Sequence, residues 1–332
     1  MKLVRSLPAY KTNLGSSYCG DSRILLSELP DDSVDLIVTS PPFALLRQKA
    51  YGNIEQQEYV SWFSTFATIV QRKLKSTGSF VIDLGGSYEK GSPTRSLYNF
   101  RLLIHLCDNV GFHLAEDFYW YNPAKLPSPI EWVNKRKIRV KDSVNTIWWL
   151  SRERFPKADV RQVLTEYSAR MKKLLEDPAK FYRPKDRPSG HSISSGFSTD
   201  NGGAIPSNLL QISNTDSNSL YMRACEIVGD KQHPARFPSK IPEFFIKFLT
   251  EPNDVVIDIF AGSNTTGAVA ETLGRRWLSF EEDLNYVAAS AFRLIDEGTT
   301  DADIMEIYQN ILSGDLVDLQ RYRNQEPLFH FV

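Results

Sequence analysis

The chain has 332 residues, and its 42% hydrophobic and 24% charged content is typical of a soluble globular protein. A formal net charge of −1 argues against a histone-like protein that binds nucleic acid by charge alone, although a local basic face would still allow DNA binding. The three cysteines form no C-x-x-C pair, and no apolar leader or membrane-length segment occurs, so we expect no disulfide framework, no metal, no membrane contact and a cytoplasmic location.

Strands and helices alternate along the first part of the chain. Residues 16–21 predict a strand, and apolar residues at helical spacing predict a helix over 22–29. The apolar strand 34–39 is followed by a helix over 58–74, whose aromatic residues we expect in the core. A strand over 78–84 and a helix over 97–110 come next. This alternation predicts a parallel, doubly wound sheet.

A rigid loop, Ser40-Pro41-Pro42-Phe43, follows the strand 34–39. Each proline fixes its own φ and restricts the residue before it, and neither has an N–H, so the backbone here can only accept hydrogen bonds. With the serine hydroxyl, these carbonyls form a cluster of acceptors suited to an amino group, and the phenylalanine offers a face for a planar ring. The alternative is that the two prolines only terminate a buried strand.

Two further strands, over 114–121 and 144–150, have no helix between them and predict a hairpin at the sheet edge. Their connection is long and basic, and an extended backbone over residues 137–141 would place three cations on one face. Such cations are suited to phosphates, and neighbouring aromatic and amide groups to bases. The residues concerned are Trp132, Asn134, Lys135, Arg136, Lys137, Arg139 and Lys141. A solvated charged face is the alternative.

The composition of the chain changes after residue 150. An amphipathic helix is predicted over 159–176, and residues 183–232 are rich in Pro, Ser, Gly and Asn. This stretch contains residue types that read base edges in the major groove, which makes it the best candidate for recognition of a nucleic-acid target. They include Arg183, Lys185, Arg187, His191, Asn201, Asn208, Gln211 and Asn214. A structural excursion is the alternative.

A second loop of functional character follows the strand 254–260. Ala261 and Gly262 let a ligand approach the backbone, Asn264 and two threonines offer hydrogen bonds, and the next helix presents free N–H groups. The strand 275–281 ends in Glu281, about 20 residues after the glycine turn, where ribose hydroxyls are usually bound. Helices over 239–249 and 285–296 accompany these strands. With these two strands, the number of predicted strands is seven. By itself this pattern fits many nucleotide-binding folds.

Together, T-S-P-P-F at residues 39–43 and D-I-F-A-G-S-N-T-T-G at residues 258–267 resemble the permuted β-group of S-adenosylmethionine-dependent DNA amino-methyltransferases. The resemblance is closest to the PvuII-type cytosine-N4 enzymes. Supporting stretches occur in the family's order at residues 79–86, 130–137 and 233–238, so that the resemblance spans nearly the whole chain. Asn264 is a departure, because a second glycine is common at this position.

The resemblance implies an α/β, Rossmann-like class I methyltransferase fold, with a circularly permuted, seven-stranded, mostly parallel sheet and an antiparallel edge hairpin. It implies a catalytic half (1–150), a smaller target-recognition region (151–232) and an S-adenosyl-L-methionine-binding half (233–332). The catalytic residues would be Ser40, Pro41, Pro42 and Phe43. The residues expected to bind the cofactor are Asp21, Phe237, Ser239, Asp258, Phe260, Gly262, Ser263, Asn264, Thr265, Thr266 and Glu281. Those expected to bind DNA are Trp132, Asn134, Lys135, Arg136, Lys137, Arg139, Lys141, Arg183, Lys185 and Arg187.

The activity implied by the resemblance is site-specific methylation of an exocyclic amine in double-stranded DNA, with the target base flipped out of the helix. A ring-carbon methyltransferase needs a cysteine nucleophile, and no cysteine adjoins a proline in such a loop, which leaves cytosine N4 or adenine N6. In the family, serine at the first position of the loop mostly accompanies cytosine, so Ser40 favours N4. A restriction–modification role, with a restriction endonuclease acting on the same site, follows from the same resemblance.

Other functions fit parts of the pattern. A non-catalytic nucleotide-binding protein or a dehydrogenase can be built on the same sheet, but the Ser40–Phe43 loop supplies no acid–base pair for hydride transfer. Methyltransferases of RNA or of protein glutamine also use an X-P-P-aromatic loop. The basic and recognition segments favour duplex DNA over both of these substrates.

Overall fold

The computed structural model describes residues 2–44, 54–181, 198–214, 219–230, 234 and 238–323. The chain divides into two compact units, one of Met1–Lys157 with Asn208–Val332 and the other of Ala158–Ser207. Leu210 and Tyr221 belong to the hydrophobic core of the first unit, so part of the stretch expected to recognise the target is built into that unit. No helix in the described ranges is long and apolar enough to span a bilayer.

The first unit is built on a ten-stranded sheet. Its strands are β1 (Tyr10–Lys11), β2 (Gly15–Cys19), β3 (Val34–Thr39), β4 (Leu74–Leu84), β5 (His113–Tyr121), β6 (Val144–Ser151), β7 (Leu209–Gln211), β8 (Val255–Asp258), β9 (Arg276–Glu281) and β10 (Val317–Asp318). Their order across the sheet is β10-β1-β2-β9-β8-β3-β4-β6-β5-β7.

Helices accompany the sheet, as the alternation along the sequence predicted, although those at 178–181, 219–227 and 301–312 were not predicted. They are α1 (Ser22–Ser27), α2 (Tyr59–Lys73), α3 (Tyr98–His105), α4 (Ala169–Glu176), α5 (Pro178–Phe181), α6 (Ser219–Ile227), α7 (Lys240–Leu249), α8 (Thr265–Thr272), α9 (Leu284–Ser290) and α10 (Asp301–Leu312). Short 3-10 helices occur at Val160–Val163, Ala291–Arg293 and Leu319–Tyr322, and π-helical turns at Leu106–Val110 and Glu131–Lys135. The helices α4 and α5 belong to the second unit.

The predicted α/β sheet is confirmed, and its seven predicted strands are β2, β3, β4, β5, β6, β8 and β9. Neighbours from β2 to β4 across the sheet are parallel, whereas β6 is antiparallel to β4 and β5. The late strands β8 and β9 lie between the early strands β2 and β3, which is the permuted order. Three short strands were not predicted: β1 and β10 extend one edge, and β7 pairs with β5, so that the hairpin is not outermost.

Alternate residues of the central strands face the two sides of the sheet and enter two hydrophobic clusters. In β3, Leu36 and Val38 enter one cluster and Ile37 enters the other. On the second side, α2 places aromatic residues at helical spacing, and the Phe63 ring stacks on Phe80 of β4 with centroids 6.2 Å apart. Each such side chain contributes roughly 1.5–3 kcal/mol when it leaves water. This packing fixes the positions of the strand ends.

The helix predicted over 159–176 is divided into a 3-10 helix and α4. Each piece has its own N-cap, because the Asp159 carboxylate and the Ser168 hydroxyl each accept a hydrogen bond from a backbone N–H of the turn that follows. Between them, Thr165 pairs with Ala204 through two backbone hydrogen bonds of 2.9 Å. Two caps favour two short helices, which apolar spacing alone did not indicate.

Candidate active site

The carboxyl ends of β3, β4, β8 and β9 lie along one edge, because these parallel strands are near neighbours in the sheet. Two loops leave this edge: the Ser40–Phe43 loop after β3, and residues 259–264 between β8 and α8. Ligands of doubly wound sheets bind at such an edge, near the point where the strand order changes direction. The two loops that the sequence singled out are therefore neighbours, because β3 pairs directly with β8.

Neighbouring groups hold the Ser40–Phe43 loop in place. The Tyr59 hydroxyl, on α2, donates a 2.8 Å hydrogen bond to the Pro42 carbonyl. The Phe43 ring lies against the backbone of Gly85, where a Cβ atom would come within 2.5 Å of a ring carbon. The serine and the phenylalanine of the loop are partly exposed. Both side chains thus remain accessible on a loop whose backbone is fixed.

An acidic residue that the sequence analysis missed lies beside Ser40. The Ser40 hydroxyl donates to Asp83 Oδ2 at 3.1 Å, and the Asn145 amide donates to Asp83 Oδ1 at 3.3 Å. Asp83 lies near the end of β4 and is only 4% exposed. Burial raises the pKa of Asp83 to about 6, although the hydrogen bonds from Asn145 and Ser40 act in the opposite direction. The available signal was an aspartate within the otherwise apolar stretch at 80–84.

Asp258, the last residue of β8, connects the two loops. Its Oδ1 accepts hydrogen bonds from the Thr39 hydroxyl at 2.7 Å and from the Phe260 N–H at 3.1 Å. Its Oδ2 accepts one from the Thr266 hydroxyl at 2.7 Å. The residue is buried, and burial raises the pKa of its carboxyl group. Because Thr39 immediately precedes Ser40, this carboxylate fixes the position of one loop relative to the other.

Asn264 starts α8 from a left-handed conformation with φ of 54°. Its Oδ1 accepts a 3.1 Å hydrogen bond from the Gly267 N–H, and its Nδ2 donates a 2.9 Å hydrogen bond to the Tyr10 hydroxyl. Asparagine tolerates this conformation and caps the helix, which gives the departure from glycine a structural reason. A Cβ atom on Gly267 would lie 2.2 Å from Asn264 Oδ1, so the cap also requires the glycine.

Glu281, at the end of β9, holds the glycine turn. Its carboxylate accepts hydrogen bonds from the N–H groups of Gly262 at 2.8 Å, Glu282 at 2.9 Å and Asp283 at 3.0 Å. Burial raises the pKa of Glu281, although the residue keeps partial exposure. A carboxylate has about four lone-pair sites, and three donors leave one of them for a ligand.

Asp21 and Phe260 lie at the neighbouring strand ends. Asp21 caps α1 and pairs with Arg23, whose side-chain hydrogen bonds lower the pKa of the aspartate. The Phe260 ring packs among aromatic rings of α2, with its centroid 5.0 Å from that of Phe66, and stays partly exposed. The structure therefore brings both residues to the edge where the cofactor was expected.

The other residues predicted to bind the cofactor differ in their surroundings. Ser263, Thr265 and Thr266 are buried in the loop and the first turn of α8. Ser239 is partly buried and immediately precedes α7. Phe237 lies outside the described residues. The contacts of these residues with a cofactor stay predictions.

The connection between β5 and β6 contains an exposed cationic turn. Glu131 pairs with Lys135 at 3.3 Å and with Arg136 at 3.0 Å, and the two basic side chains remain 70% and 61% exposed. The Arg136 guanidinium also lies 4.9 Å from the centre of the Trp132 ring. Exposed residues on the same turn are Asn134 and Lys137. These side chains are available to a partner, as the DNA-binding prediction requires.

Arg139 and Lys141 have structural partners instead. The Arg139 guanidinium donates to the Pro93 carbonyl, and Lys141 Nζ donates to the carbonyls of Pro123 at 3.1 Å and Lys125 at 3.3 Å. Contacts of these two cations with phosphate would compete with such bonds, and they stay predictions. The remaining predicted DNA-binding residues, Arg183, Lys185 and Arg187, lie outside the described residues.

The extended backbone expected for residues 137–141 does not include Lys137. Lys137 has a left-handed backbone with φ of 54°, which interrupts an extended run, and no strand is present from 137 to 143. Ile138 and Val140 are 58% and 85% exposed. The aliphatic residues, and not the cations Arg139 and Lys141, therefore take the solvent-facing side.

The fold and the paired loops at its carboxyl edge define a class I methyltransferase, and a family model described as DNA methylase matches residues 34–292. The chain belongs to this DNA methylase family. It is 63% identical over 312 residues to Type II methyltransferase M.PvuII of Proteus hauseri, and the match covers 94% of this chain and 93% of that protein. Type II methyltransferase M.BglII of Bacillus subtilis is 25% identical over 319 residues, and the match covers 94% of this chain and 78% of that protein.

Among solved structures, PvuII DNA methyltransferase (cytosine-N4-specific) is similar to this chain with a TM-score of 0.79 and 53% identity. The similarity covers 96% of this chain and 99% of that one. The predicted family and the predicted methyltransferase fold are thereby confirmed.

Proposed function

We propose that this enzyme transfers a methyl group from S-adenosylmethionine to the N4 amino group of a cytosine in duplex DNA. The observation that carries the proposal is the hydrogen-bonded set Ser40–Asp83–Asn145 beside the partly exposed Phe43 ring. This set combines acceptors for an amino group, a face for a planar base and a carboxyl group with a pKa raised to about 6. The similar solved structure is described as cytosine-N4-specific, which supports the same base.

The second loop and the adjoining strand ends fit S-adenosylmethionine. Glu281 keeps an acceptor site for ribose hydroxyls, and the partly exposed Phe260 ring offers a face to adenine. Gly262, with φ of 50°, has no side chain to obstruct a ligand over the turn. Asp21 lies two residues beyond Cys19, which pairs with Glu281 across β2 and β9, so both carboxylates are near one end of the site. When bound, the cofactor supplies an electrophilic methyl group on a sulfonium.

The loop after β3 holds the amino group. The lone pair of an exocyclic amine is delocalised into the ring, so acceptors on its hydrogens are needed to favour a pyramidal, nucleophilic nitrogen. The Pro42 carbonyl is bonded to Tyr59, whereas none of the described residues donates to the Pro41 carbonyl. The Ser40 hydroxyl oxygen and the Pro41 carbonyl are therefore the acceptors that we assign to the amine.

Asp83 accepts the proton that the amino nitrogen loses. Methyl transfer leaves the amino nitrogen with one proton more than the neutral product, and that N–H bond must break. The Ser40 hydroxyl already donates to Asp83, so it can take the proton from nitrogen while passing its own to the carboxylate. Because the pKa of Asp83 is raised to about 6, the carboxyl group holds this proton only transiently at neutral pH.

Duplex DNA with an extruded target base is the substrate form that we propose. An amino nitrogen paired inside the helix cannot reach a loop between strand ends, and extruding the base costs a few kcal/mol. The Phe43 ring would stack on the extruded cytosine. The exposed cations Lys135 and Arg136 support the DNA by contacting its phosphates.

The biological role that we propose is modification within a restriction–modification system. The relatives M.PvuII and M.BglII are named type II methyltransferases. The partner of such an enzyme is a restriction endonuclease that acts on the same DNA site, without direct contact between the two proteins. We propose that the enzyme acts in the cytoplasm, where its DNA substrate lies.

Nucleoside analysis tests the proposed function. The enzyme is expressed in a host without DNA methyltransferases, and plasmid DNA is digested to nucleosides for mass spectrometry. We expect N4-methylcytosine, and a strain carrying the Ser40→Ala variant as the matched control should contain far less of it. N6-methyladenine would refute the assignment of the base. Methylation of RNA or protein without methylation of DNA would refute the assignment of the substrate.

A further inference from the structure

The β5–β6 loop, residues 122–143, presents four aliphatic side chains to solvent, those of Leu126, Ile130, Ile138 and Val140. Ile138 is 58% exposed and Val140 is 85% exposed. Single exposed aliphatic residues are common on protein surfaces. Ile138 and Val140 differ from the other exposed aliphatic residues of the loop because they alternate with Arg139 and Lys141, whose charged ends bond to backbone carbonyls. Between residues 138 and 141, the loop therefore turns its two cations toward the protein and its two aliphatic groups toward solvent, which is the reverse of the usual arrangement.

Hydrogen bonds fix this loop at its base. The Asn122 N–H donates to the Ser143 carbonyl at 2.9 Å, and the Asp142 N–H donates to the Ser128 carbonyl at 3.1 Å. Arg95 bonds to the Asp142 carboxylate through two guanidinium nitrogens, each at 2.9 Å. The exposure of the aliphatic residues is thus set by a braced backbone.

The loop stands next to the catalytic residues. Its C-terminal end enters β6, where Asn145 donates to the Asp83 carboxylate. Val140 precedes Asn145 by five residues, which limits the distance between their Cα atoms to about 18 Å. Arg95, which braces the loop, also lies against Gly86, where a Cβ atom would come within 2.8 Å of its Nη1. The loop therefore leaves the same edge of the sheet as the Ser40–Phe43 loop, because Thr146 at the start of β6 pairs with Leu84 at the end of β4.

We propose that Ile138 and Val140 form a wedge that enters the base stack of the duplex when the target cytosine is swung out. The inference rests on the proposed function. Proteins keep base steps apart by inserting apolar side chains, which repay part of the lost stacking. The exposed cations Lys135, Arg136 and Lys137 belong to the same loop, and their charge complements the phosphates on either side of the gap.

The test compares two duplexes with the same mapped methylation site. In one the target cytosine pairs with guanine, and in the other it faces an abasic position, where extrusion is already easy. We expect the double variant Ile138→Ala/Val140→Ala to slow single-turnover methylation at least about tenfold on the paired duplex. On the abasic duplex its rate should stay within about twofold of wild type, because a base without a partner costs less to flip. Leu7→Ala is the matched control, since Leu7 is 86% exposed outside the loop.

Each other outcome overturns the proposal in a distinguishable way. Equal slowing on both duplexes would assign the two side chains to DNA affinity and not to base extrusion. An unchanged rate on the paired duplex would show that the two side chains do not act as a wedge, and the proposed function would still stand. If the wild-type enzyme methylates cytosine on neither duplex, the proposed function and the wedge are both wrong. A urea unfolding curve for the double variant that matches wild type shows that the fold is retained.

Discussion

Thr39 donates a 2.7 Å hydrogen bond to Asp258, although 219 positions separate the two residues in the chain. The same carboxylate accepts a hydrogen bond from Thr266 in the first turn of α8. Ser40 follows Thr39 directly, so the position of the Ser40–Phe43 loop is coupled to that of the glycine turn. Reactants must be aligned closely for methyl transfer, and a small misplacement lowers the rate strongly. We therefore propose that Asp258 is a positioning residue, which aligns the loop that we assign to the amine with the loop that we assign to the cofactor.

Thr39→Val should weaken this coupling. The substitution keeps the shape of the side chain but leaves a buried oxygen of Asp258 without one of its donors, at a cost of about 1–3 kcal/mol. We expect both a lower affinity for S-adenosylmethionine and a lower single-turnover rate, measured by calorimetry and rapid quench. Thr39→Ser keeps the hydroxyl and should behave as wild type. A change in neither quantity for Thr39→Val would contradict the coupling.

Ser40→Ala should lower the methyl-transfer rate by roughly a hundredfold, the scale for removal of one well-placed polar group in a transition state. Affinity for S-adenosylmethionine should change little, because Ser40 bonds to Asp83 and not to the second loop. Single-turnover kinetics and equilibrium cofactor binding separate the two effects. Parallel losses in both would instead assign Ser40 to the fold of the whole edge.

The pH dependence of the rate should report Asp83. Only the carboxylate form can accept a proton, and burial raises the pKa of Asp83 to about 6, so the rate should rise with pH through about 6 and then level off. The hydrogen bonds from Asn145 and Ser40 lower this pKa. Their removal in Asn145→Ala or Ser40→Ala should therefore move the inflection to higher pH. Asp83→Asn should abolish the inflection together with most of the activity. An inflection that stays in place in all three variants would belong to another group.

Phe43→Ala should weaken methylation strongly and leave cofactor binding nearly intact. Stacking of a base on an aromatic ring contributes about 1–3 kcal/mol, which corresponds to roughly a fivefold to hundredfold effect. Gly85→Ala is a matched variant that keeps the ring but moves it. The new Cβ atom would lie 2.5 Å from a carbon of Phe43 and displace the ring. Both variants should lose DNA methylation in the same direction. Full activity in Gly85→Ala would mean that the position of the ring is unimportant.

Gly267→Ala should destabilise the protein by about 1–3 kcal/mol, through loss of the helix cap and crowding. Its Cβ atom would lie 2.2 Å from Asn264 Oδ1, the group that caps α8. Gly298→Ala is the control, since nothing lies within 4 Å of a Cβ atom at that position. Urea unfolding measures the free energy of unfolding of both variants. A Gly267→Ala protein as stable as the control would show that the cap contributes little.

The main elements of the fold were predictable because they are encoded locally. Apolar runs such as Val34–Thr39 are buried along their whole length, and the aromatic spacing of α2 is helical. The short strands β1, β7 and β10 have two or three residues each, and their pairing depends on partners far away in the chain. No local pattern distinguishes such segments from loops.

The site was predicted in part. The Ser40–Phe43 loop and the glycine turn have distinctive sequences, whereas the role of Asp83 depends on contacts with Ser40 and Asn145 that only the folded chain makes. The exposure of Ile138 and Val140 was not predictable from the alternation of residue types, for a related reason. The alternate residues Arg139 and Lys141 bond to the carbonyls of Pro93 and Pro123, which leaves the aliphatic residues on the solvent side.

The strand order also determines which strands lack neighbours while the chain is being synthesised. The strands β8 and β9 fill the space between β2 and β3, so a nascent chain that ends at β7 has two inner strand edges without neighbours. Such edges are prone to pair with other chains and are natural targets for chaperones. Because the glycine turn at residues 259–264 is translated after the Ser40–Phe43 loop, a chain that ends before β8 lacks the loop that we assign to the cofactor and cannot complete the sheet. We therefore expect methyltransferase activity only from chains that have been translated beyond β9.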